Sequence, residues 1–383
     1  MFRRKTVFIL GAGASWHYSY PTGEELVRRV IEKAEIAGKV FSENQFLPLP
    51  KYVENKTSQS MGTSAVSIAY REAVKECQTL SERLRYTNPL VIDYFLGHNP
   101  ALSEVGRFLI AWVLLECESR FEQHARINQN RSTQELIASK DNHDDWYRFI
   151  LHKLTSEIVD SSDLLRNEVT FVTFNYDTSL DNYLYRALSM FQNLAPADVD
   201  KFLHQPRILH IYGSIRPSPV RSFEPVAFTN VAGPNIAGGT DPRYLSGLTA
   251  LDAAYNASKT LKVIEPHDKG NNDTITRQAI SAIKEAEVVY ILGYGFDGNN
   301  SARLGLQSSL GNLLVMNKTV LFTNFGDSNR VNLEAAKVFC MPSRELVAGR
   351  SLIPGEPSHR IFLEKSIRNV YDAFAFDFDA PEQ

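Results

Sequence analysis

In the first ten residues the apolar positions form a run rather than an alternation. Lys5-Thr-Val-Phe-Ile-Leu10 is unbroken from Val7 to Leu10, the pattern of a strand covered on both faces. The run breaks at Gly11-Ala-Gly-Ala-Ser15, and Pro21-Thr-Gly-Glu-Glu25 then opens a helix. Thr22 with Glu25 three residues later fits a capping box, and Leu26, Val27, Val30 and Ile31 recur at helical spacing. Up to about residue 160 the texture stays helical. Segments 63–85, 100–127 and 133–158 carry apolar residues three and four apart, and 40–62 reads as a long polar connection.

From 168 the period changes. Glu168–Phe174, Arg207–Tyr212, Leu261–Ile264, Glu287–Leu292 and Lys318–Thr323 read as strands, with helices predicted over 177–188, 274–286, 300–310 and 329–338. Strands alternating with helices imply an α/β fold, a doubly wound, Rossmann-like parallel sheet. Residues 216–243 hold five prolines and three glycines, a loop of the length used for lids and binding segments. A last helix is predicted over 357–374, followed by a tail from Phe376. The chain therefore divides into an α/β core (1–30 plus 165–345), a large, mostly helical insertion lobe (31–164), and a C-terminal helix and tail (346–383). No internal repeat or low-complexity block interrupts this scheme.

Composition narrows the picture. The chain has 383 residues with 41 Lys+Arg against 44 Asp+Glu, a net charge of −3. That balance creates no global basic field, so direct nucleic-acid binding has no support from charge. Cys77, Cys117 and Cys340 lie far apart without a CxxC pair, which excludes a cysteine-based zinc module of the usual spacing and predicts reduced thiols in a cytoplasmic protein. The longest apolar run, Phe108–Leu115, is far below the roughly 20 residues of a membrane span. Met1-Phe-Arg-Arg-Lys5 followed by an apolar run imitates an export signal, but Val7–Leu10 is shorter than the about 7 apolar residues such a signal needs.

The candidate chemistry lies at strand ends, where open α/β sheets bind their ligands. Gly11-Ala-Gly-Ala-Ser15 follows a strand and precedes a helix, a turn whose N–H groups can surround a phosphate. It departs from a dinucleotide fingerprint, because Trp16 takes the place of the third glycine and no acidic residue follows about 20 positions later. Thr173-Phe-Asn-Tyr-Asp177 sets the Asn175 amide and the Asp177 carboxylate at a strand end, where an Asn/Asp helix cap is the equal alternative. In His210-Ile-Tyr-Gly-Ser214, His210 and Tyr212 are two apart and are expected on one face of a strand, although a lone strand histidine is more often structural. Gly293-Tyr-Gly295 and Asn324 end two further strands. No metal-binding carboxylate cluster is visible, which disfavours a nuclease.

Taken in order, these segments resemble the sirtuin superfamily, in particular its bacterial branch of NAD-consuming defence proteins. Gly11–Ser15 is similar to the GAGxS phosphate loop, with Pro21-Thr22-Gly23 typical of the bacterial branch, and Thr173–Asp177 stands where sirtuins carry TQNID. Gly293-Tyr294-Gly295 resembles the later glycine turn, and Val91-Ile-Asp-Tyr-Phe-Leu96 an insertion motif of the defence proteins.

The resemblance implies NAD+ as substrate, with no metal required. Asn175 takes the place of the catalytic asparagine and Asp177 that of the aspartate near the nicotinamide carboxamide. Gly11, Ala12, Gly13, Ser15, Thr22, Asn175, Gly213, Gly293, Tyr294 and Asn324 become the dinucleotide-binding set. The family's catalytic histidine falls on Tyr212, so either His210 or Tyr212 serves in its stead. Without a zinc module, NAD+ hydrolysis to nicotinamide and ADP-ribose is expected rather than deacetylation. The same likeness implies an effector of anti-phage abortive infection, forming homo-oligomers and controlled by a partner, a HerA-type hexameric ATPase or alternatively a short Argonaute. The competing expectation is an NAD- or ADP-ribose-binding regulatory subunit without turnover.

Overall fold

The computed structural model of the chain describes residues 1–43, 49–57, 63–130, 146–204, 207–216, 242–263, 273–311, 318–324, 328–340 and 360–364. The protein is α/β, with strands β1 (Thr6–Leu10), β2 (Val169–Thr173), β3 (Ile208–His210), β4 (Val288–Leu292), β5 (Thr319–Thr323) and β6 (Arg360–Glu364). They form one six-stranded sheet in the order β3-β2-β1-β4-β5-β6, and every neighbouring pair is parallel. This is a doubly wound, Rossmann-like order. The chain grows outward from β1 to β3 and then restarts on the other side of β1 with β4, so the β1/β4 junction is the topological switch point.

The apolar run of β1 is buried along its whole length, as two-sided coverage requires. Phe8 sits in register with Phe171 and Tyr290 and stacks between their rings at 5.1 and 4.8 Å. Such same-face neighbours hold adjacent strands in register.

The helices are α1 (Gly23–Glu43), α2 (Lys51–Glu54), α3 (Thr63–Thr87), α4 (Ile92–His98), α5 (Ser103–Asn130), α6 (Trp146–Thr155), α7 (Ser179–Ser189), α8 (Pro196–His204), α9 (Pro242–Ser258), α10 (Thr274–Glu285), α11 (Gly298–Arg303), α12 (Leu306–Leu310) and α13 (Asn329–Phe339). The insertion is helical as expected, and its core is continuous with that of the sheet. Trp146 of α6 lies 6.4 Å from Phe8 in stacked geometry, while Tyr52 stacks on Phe108 at 4.4 Å deeper in the helical part.

Several expectations are corrected. Residues 360–364, placed in a helix by the sequence reading, form strand β6 along β5. Ile361, Phe362 and Leu363 between two charges suit either state, and the open edge of β5 supplies hydrogen-bond partners that only a strand can use. Leu261–Val263 is not a strand; Lys262 makes one backbone bond, its N–H donating to the Tyr212 carbonyl at 2.8 Å. The strand through His210 stops there, two residues short of Tyr212. Helices α8 and α9 were not anticipated. The first half of the 133–158 helix, residues 217–241 of the long loop and the segment after 364 lie outside the described residues.

Candidate functional site

At the switch point two glycine turns meet backbone to backbone. The Gly11 N–H donates to the Leu292 carbonyl and the Gly13 N–H to the Gly293 carbonyl, both at 3.0 Å. A Cβ on Gly11 would stand 2.5 Å from the Gly293 oxygen, and one on Gly293 would stand 2.1 Å from the Ala14 nitrogen. Gly293 also has φ of +58°, a region that favours glycine. The glycines therefore serve close approach of the β1 and β4 turns; the Gly11 and Gly13 N–H groups are occupied by that contact, and the Gly293 N–H donates to Thr323 Oγ1 at 2.8 Å. Ala12 and Ser15 belong to a 3-10 helix over Ala12–Tyr18, and the α-helix expected from Pro21–Glu25 begins at Gly23.

From β2, Asn175 reaches across to this turn. Its amide Nδ2 donates to the Gly11 carbonyl at 3.1 Å and to the Ser15 hydroxyl at 2.8 Å. Ser15 in turn donates to Asp177 Oδ2 at 2.8 Å. The other carboxylate oxygen, Oδ1, accepts from the Ser179 hydroxyl and from the Ser179 N–H at 3.2 Å. Because the Ser179 proton points to Asp177, the Tyr147 hydroxyl is the donor in its 2.6 Å contact with Ser179. Asp177 thus gathers donors from Ser15 after the glycine turn and from Ser179 at the start of α7, and Tyr147 of α6 braces Ser179 in turn. Burial raises its pKa while the Ser179 and Ser15 bonds oppose the rise. The even choice between helix cap and site residue resolves into a dual geometry: Asp177 anchors the start of α7, and Asn175 locks the strand end to the phosphate-loop candidate.

His210 is buried, with Nδ1 3.0 Å from the Asn175 carbonyl and Nε2 3.1 Å from Asp181 Oδ2. Both partners are acceptors while Asp181 is ionised, so the geometry favours the imidazolium, in which both ring nitrogens carry hydrogen. Burial works against that charge. The Asp181 carboxylate, its hydrogen bond and the Asn175 carbonyl outweigh it, and the pKa is raised. Tyr212 goes elsewhere: its hydroxyl donates to Asn300 Oδ1 in α11, and its ring sits 5.8 Å from Phe174 and 5.2 Å from the Arg303 guanidinium. The expectation that the two side chains share one face fails because β3 ends at His210 and the chain turns through Gly213, whose φ is +78°.

The remaining predicted residues have local partners. Gly213 packs on Thr260, where a Cβ would lie 2.0 Å from the carbonyl oxygen. The Thr22 carbonyl accepts from the Leu26 N–H at 2.8 Å, and Glu25 accepts from Arg29 Nε at 3.0 Å. Tyr294 stacks on Phe174 at 5.2 Å, and its hydroxyl lies 3.0 Å from Ser301 Oγ. Asn324 is buried and holds the start of α13, donating to the Ser328 carbonyl at 3.0 Å and Asn332 Oδ1 at 2.9 Å, and accepting from the Ser328 N–H at 3.0 Å.

A cavity of about 10 Å³ is lined by Ser15, Asn175, Asp177, Asp181, His210 and Tyr147 among others, room for roughly one water molecule. Asp181, Ser179 and Tyr147 escaped the sequence reading. Asp181 had a signal, one helical turn beyond Asp177; Tyr147, far away in the chain, had none. Among the described residues no group of three His, Cys, Asp or Glu side chains is placed to hold a metal ion, and no helix is long and apolar enough to cross a membrane. No protein-family model, curated protein or solved structure matches the chain.

Proposed function

We propose that the chain is an NAD+ glycohydrolase. The observation that carries the reading is the convergence at the β1/β4 switch point: two interlocked glycine turns, with the Asn175 amide, just beyond the adjacent strand β2, bonded to Gly11 and Ser15 of the first. Doubly wound sheets bind dinucleotides at this place, and the sequence resemblance to NAD-consuming sirtuin-like proteins supplies the substrate. In the reaction the bond between C1′ of the ribose and the nicotinamide nitrogen breaks through an oxocarbenium-like transition state, comparable to glycoside hydrolysis. Nicotinamide leaves neutral and needs no general acid. Water adds to C1′ and releases a proton to solvent, giving ADP-ribose. An imidazolium at His210 is not a base, and the Tyr212 hydroxyl donates to Asn300 Oδ1. The chemistry required of the protein is placement of ribose and water, and Asn175 is assigned that work.

Nicotinamide release by purified protein, measured beside Asn175→Ala, tests this. A loss of about 100-fold, the scale of removing one positioned polar group, is expected. Equal turnover in the two proteins would remove Asn175 from the mechanism.

A second reading, nucleotide binding without turnover, draws on Tyr212 in the histidine's place and on the full complement of donors around Asp177. It predicts ADP-ribose binding in calorimetry with no nicotinamide release. The setting we propose is the resemblance's own: a cytoplasmic anti-phage effector, assembled as a homo-oligomer and held off by a HerA-type ATPase or a short Argonaute. Mass measurement of the complex that co-purifies with the chain tests that assignment.

A further inference from the structure

Helix α4 is only seven residues long, too short to persist without support. It is entered through Asn88, which has φ of +41°, and followed by Pro100. Its own sequence explains half of the support: Ile92, Phe95 and Leu96 are buried in the core, and Leu96 fills the space beside Gly106 of α5. Its polar residues explain the other half. Asp93 accepts from the hydroxyl of Tyr176, just beyond β2, and the Lys262 carbonyl lies 2.8 Å from the same hydroxyl. The Tyr94 hydroxyl donates to Asp297, the N-cap of α11 just beyond β4. Strands β2 and β4 flank β1 on its two sides. Two adjacent residues of one short helix therefore tie together the loops on either side of the switch point.

Beneath this tie, aromatic rings fill the carboxyl edge of the sheet. Tyr176, Tyr212 and Tyr294 are 7%, 4% and 4% exposed, and Phe174 packs between the rings of Tyr212 and Tyr294. A dinucleotide laid across the switch point meets those rings and α4 first.

We propose that α4 is a latch: in the resting chain the Tyr94–Asp297 and Tyr176–Asp93 bonds hold it across the crevice, and nucleotide enters when they break. The proposal rests on the reading of the switch point as a nucleotide site and names its control. The helix suits the task because its apolar side, Ile92, Phe95 and Leu96, stays anchored in the core while the polar contacts of Asp93 and Tyr94 hold the two strand-end loops. Hydrogen bonds to a charged partner are the strong kind, so two of them in one turn make a contact that closes firmly and breaks as a unit.

The double variant Tyr94→Phe/Tyr176→Phe keeps both rings and removes both donors, and the two single variants remove one each. Amide hydrogen exchange over 91–98, 174–177 and 293–297 reports the latch, and calorimetric titration with ADP-ribose and NAD+ reports entry. The expected result for the double variant is exchange faster by about tenfold or more in all three segments, with ADP-ribose affinity raised by a comparable factor. The single variants are expected to fall between it and the natural chain. Unchanged exchange overturns the latch whatever the nucleotide does. Faster exchange with unchanged, weaker or absent nucleotide binding overturns its gating role. The two readings separate cleanly: NAD+ turnover with unaltered exchange sinks the latch alone, whereas absence of NAD+ binding and turnover from every variant, with α4 loosened, sinks the NAD+ reading as well.

Discussion

At the scale of single residues, His210 is the clearest case of geometry deciding chemistry. An imidazole with a carbonyl on one nitrogen and a carboxylate on the other has no lone pair to offer, so its place at a strand end does not make it a base. Its pKa is raised above the ordinary 6.5 because the Asp181 charge, its hydrogen bond and the Asn175 carbonyl overcome the burial that opposes ionisation. The sign of the linkage follows. The stabilisation is complete below the unfolded value of 6.5 and is lost as pH rises through the higher folded value. Thermal midpoints should therefore fall on the alkaline side of neutrality. Asp181→Asn leaves the buried ring without its counter-charge, and we expect a loss of about 3 kcal/mol at pH 6 together with a flatter profile above it. A variant that retained the natural slope of midpoint against pH would show that another group titrates.

At the scale of elements, the glycine turns carry the architecture. Gly293→Ala places a methyl group 2.1 Å from the Ala14 nitrogen at a backbone φ of +58°, so the β1 and β4 turns must separate. Backbone strain and overpacking together are expected to cost about 3 kcal/mol or more, read as a drop in denaturation midpoint. A variant within about 0.5 kcal/mol of the natural chain would show that the two turns do not depend on their contact. This part of the fold was legible in the chain, because β1 and β4 are apolar runs that end in glycine and such runs have few other uses. Strand β6 was not legible. Ile361, Phe362 and Leu363 between Arg360 and Glu364 carry no period, and the vacancy at the edge of β5 that selects a strand is a tertiary fact. The site divides the same way. Asn175 and Asp177 announce themselves at a strand end, but Ser15, their shared partner, and Tyr147, which bonds to Ser179 beside them, come from distant parts of the chain. His210 and Tyr212 were paired on one face only because the turn at Gly213 is invisible to a period of two.

At the scale of the whole molecule, the helical insertion and the sheet share one core, and this bears on both stability and control. Trp146, 1% exposed, lies against Phe8 of the central strand and donates its indole N–H to the Ala14 carbonyl at 2.9 Å in the glycine turn. The Tyr147 N–H donates to the Tyr18 hydroxyl at 3.1 Å, and the two rings stack at 3.8 Å. The lobe thus covers the sheet at the point where the nucleotide reading places its phosphate loop, so it is a wall of that site as well as the source of α4. Trp146→Ala removes an aromatic from a dry contact and leaves the Ala14 carbonyl without its donor, an expected loss of about 3–5 kcal/mol. The same reasoning predicts one cooperative unfolding transition for lobe and sheet. Far-ultraviolet dichroism, which follows the mostly lobe-borne helices, and the fluorescence of Trp146 at the sheet, isolated in a Trp16→Phe/Trp112→Phe background, should report the same midpoint in denaturant. Two separated transitions would mean that the lobe folds by itself, and the insertion would then be a domain beside the site rather than part of it.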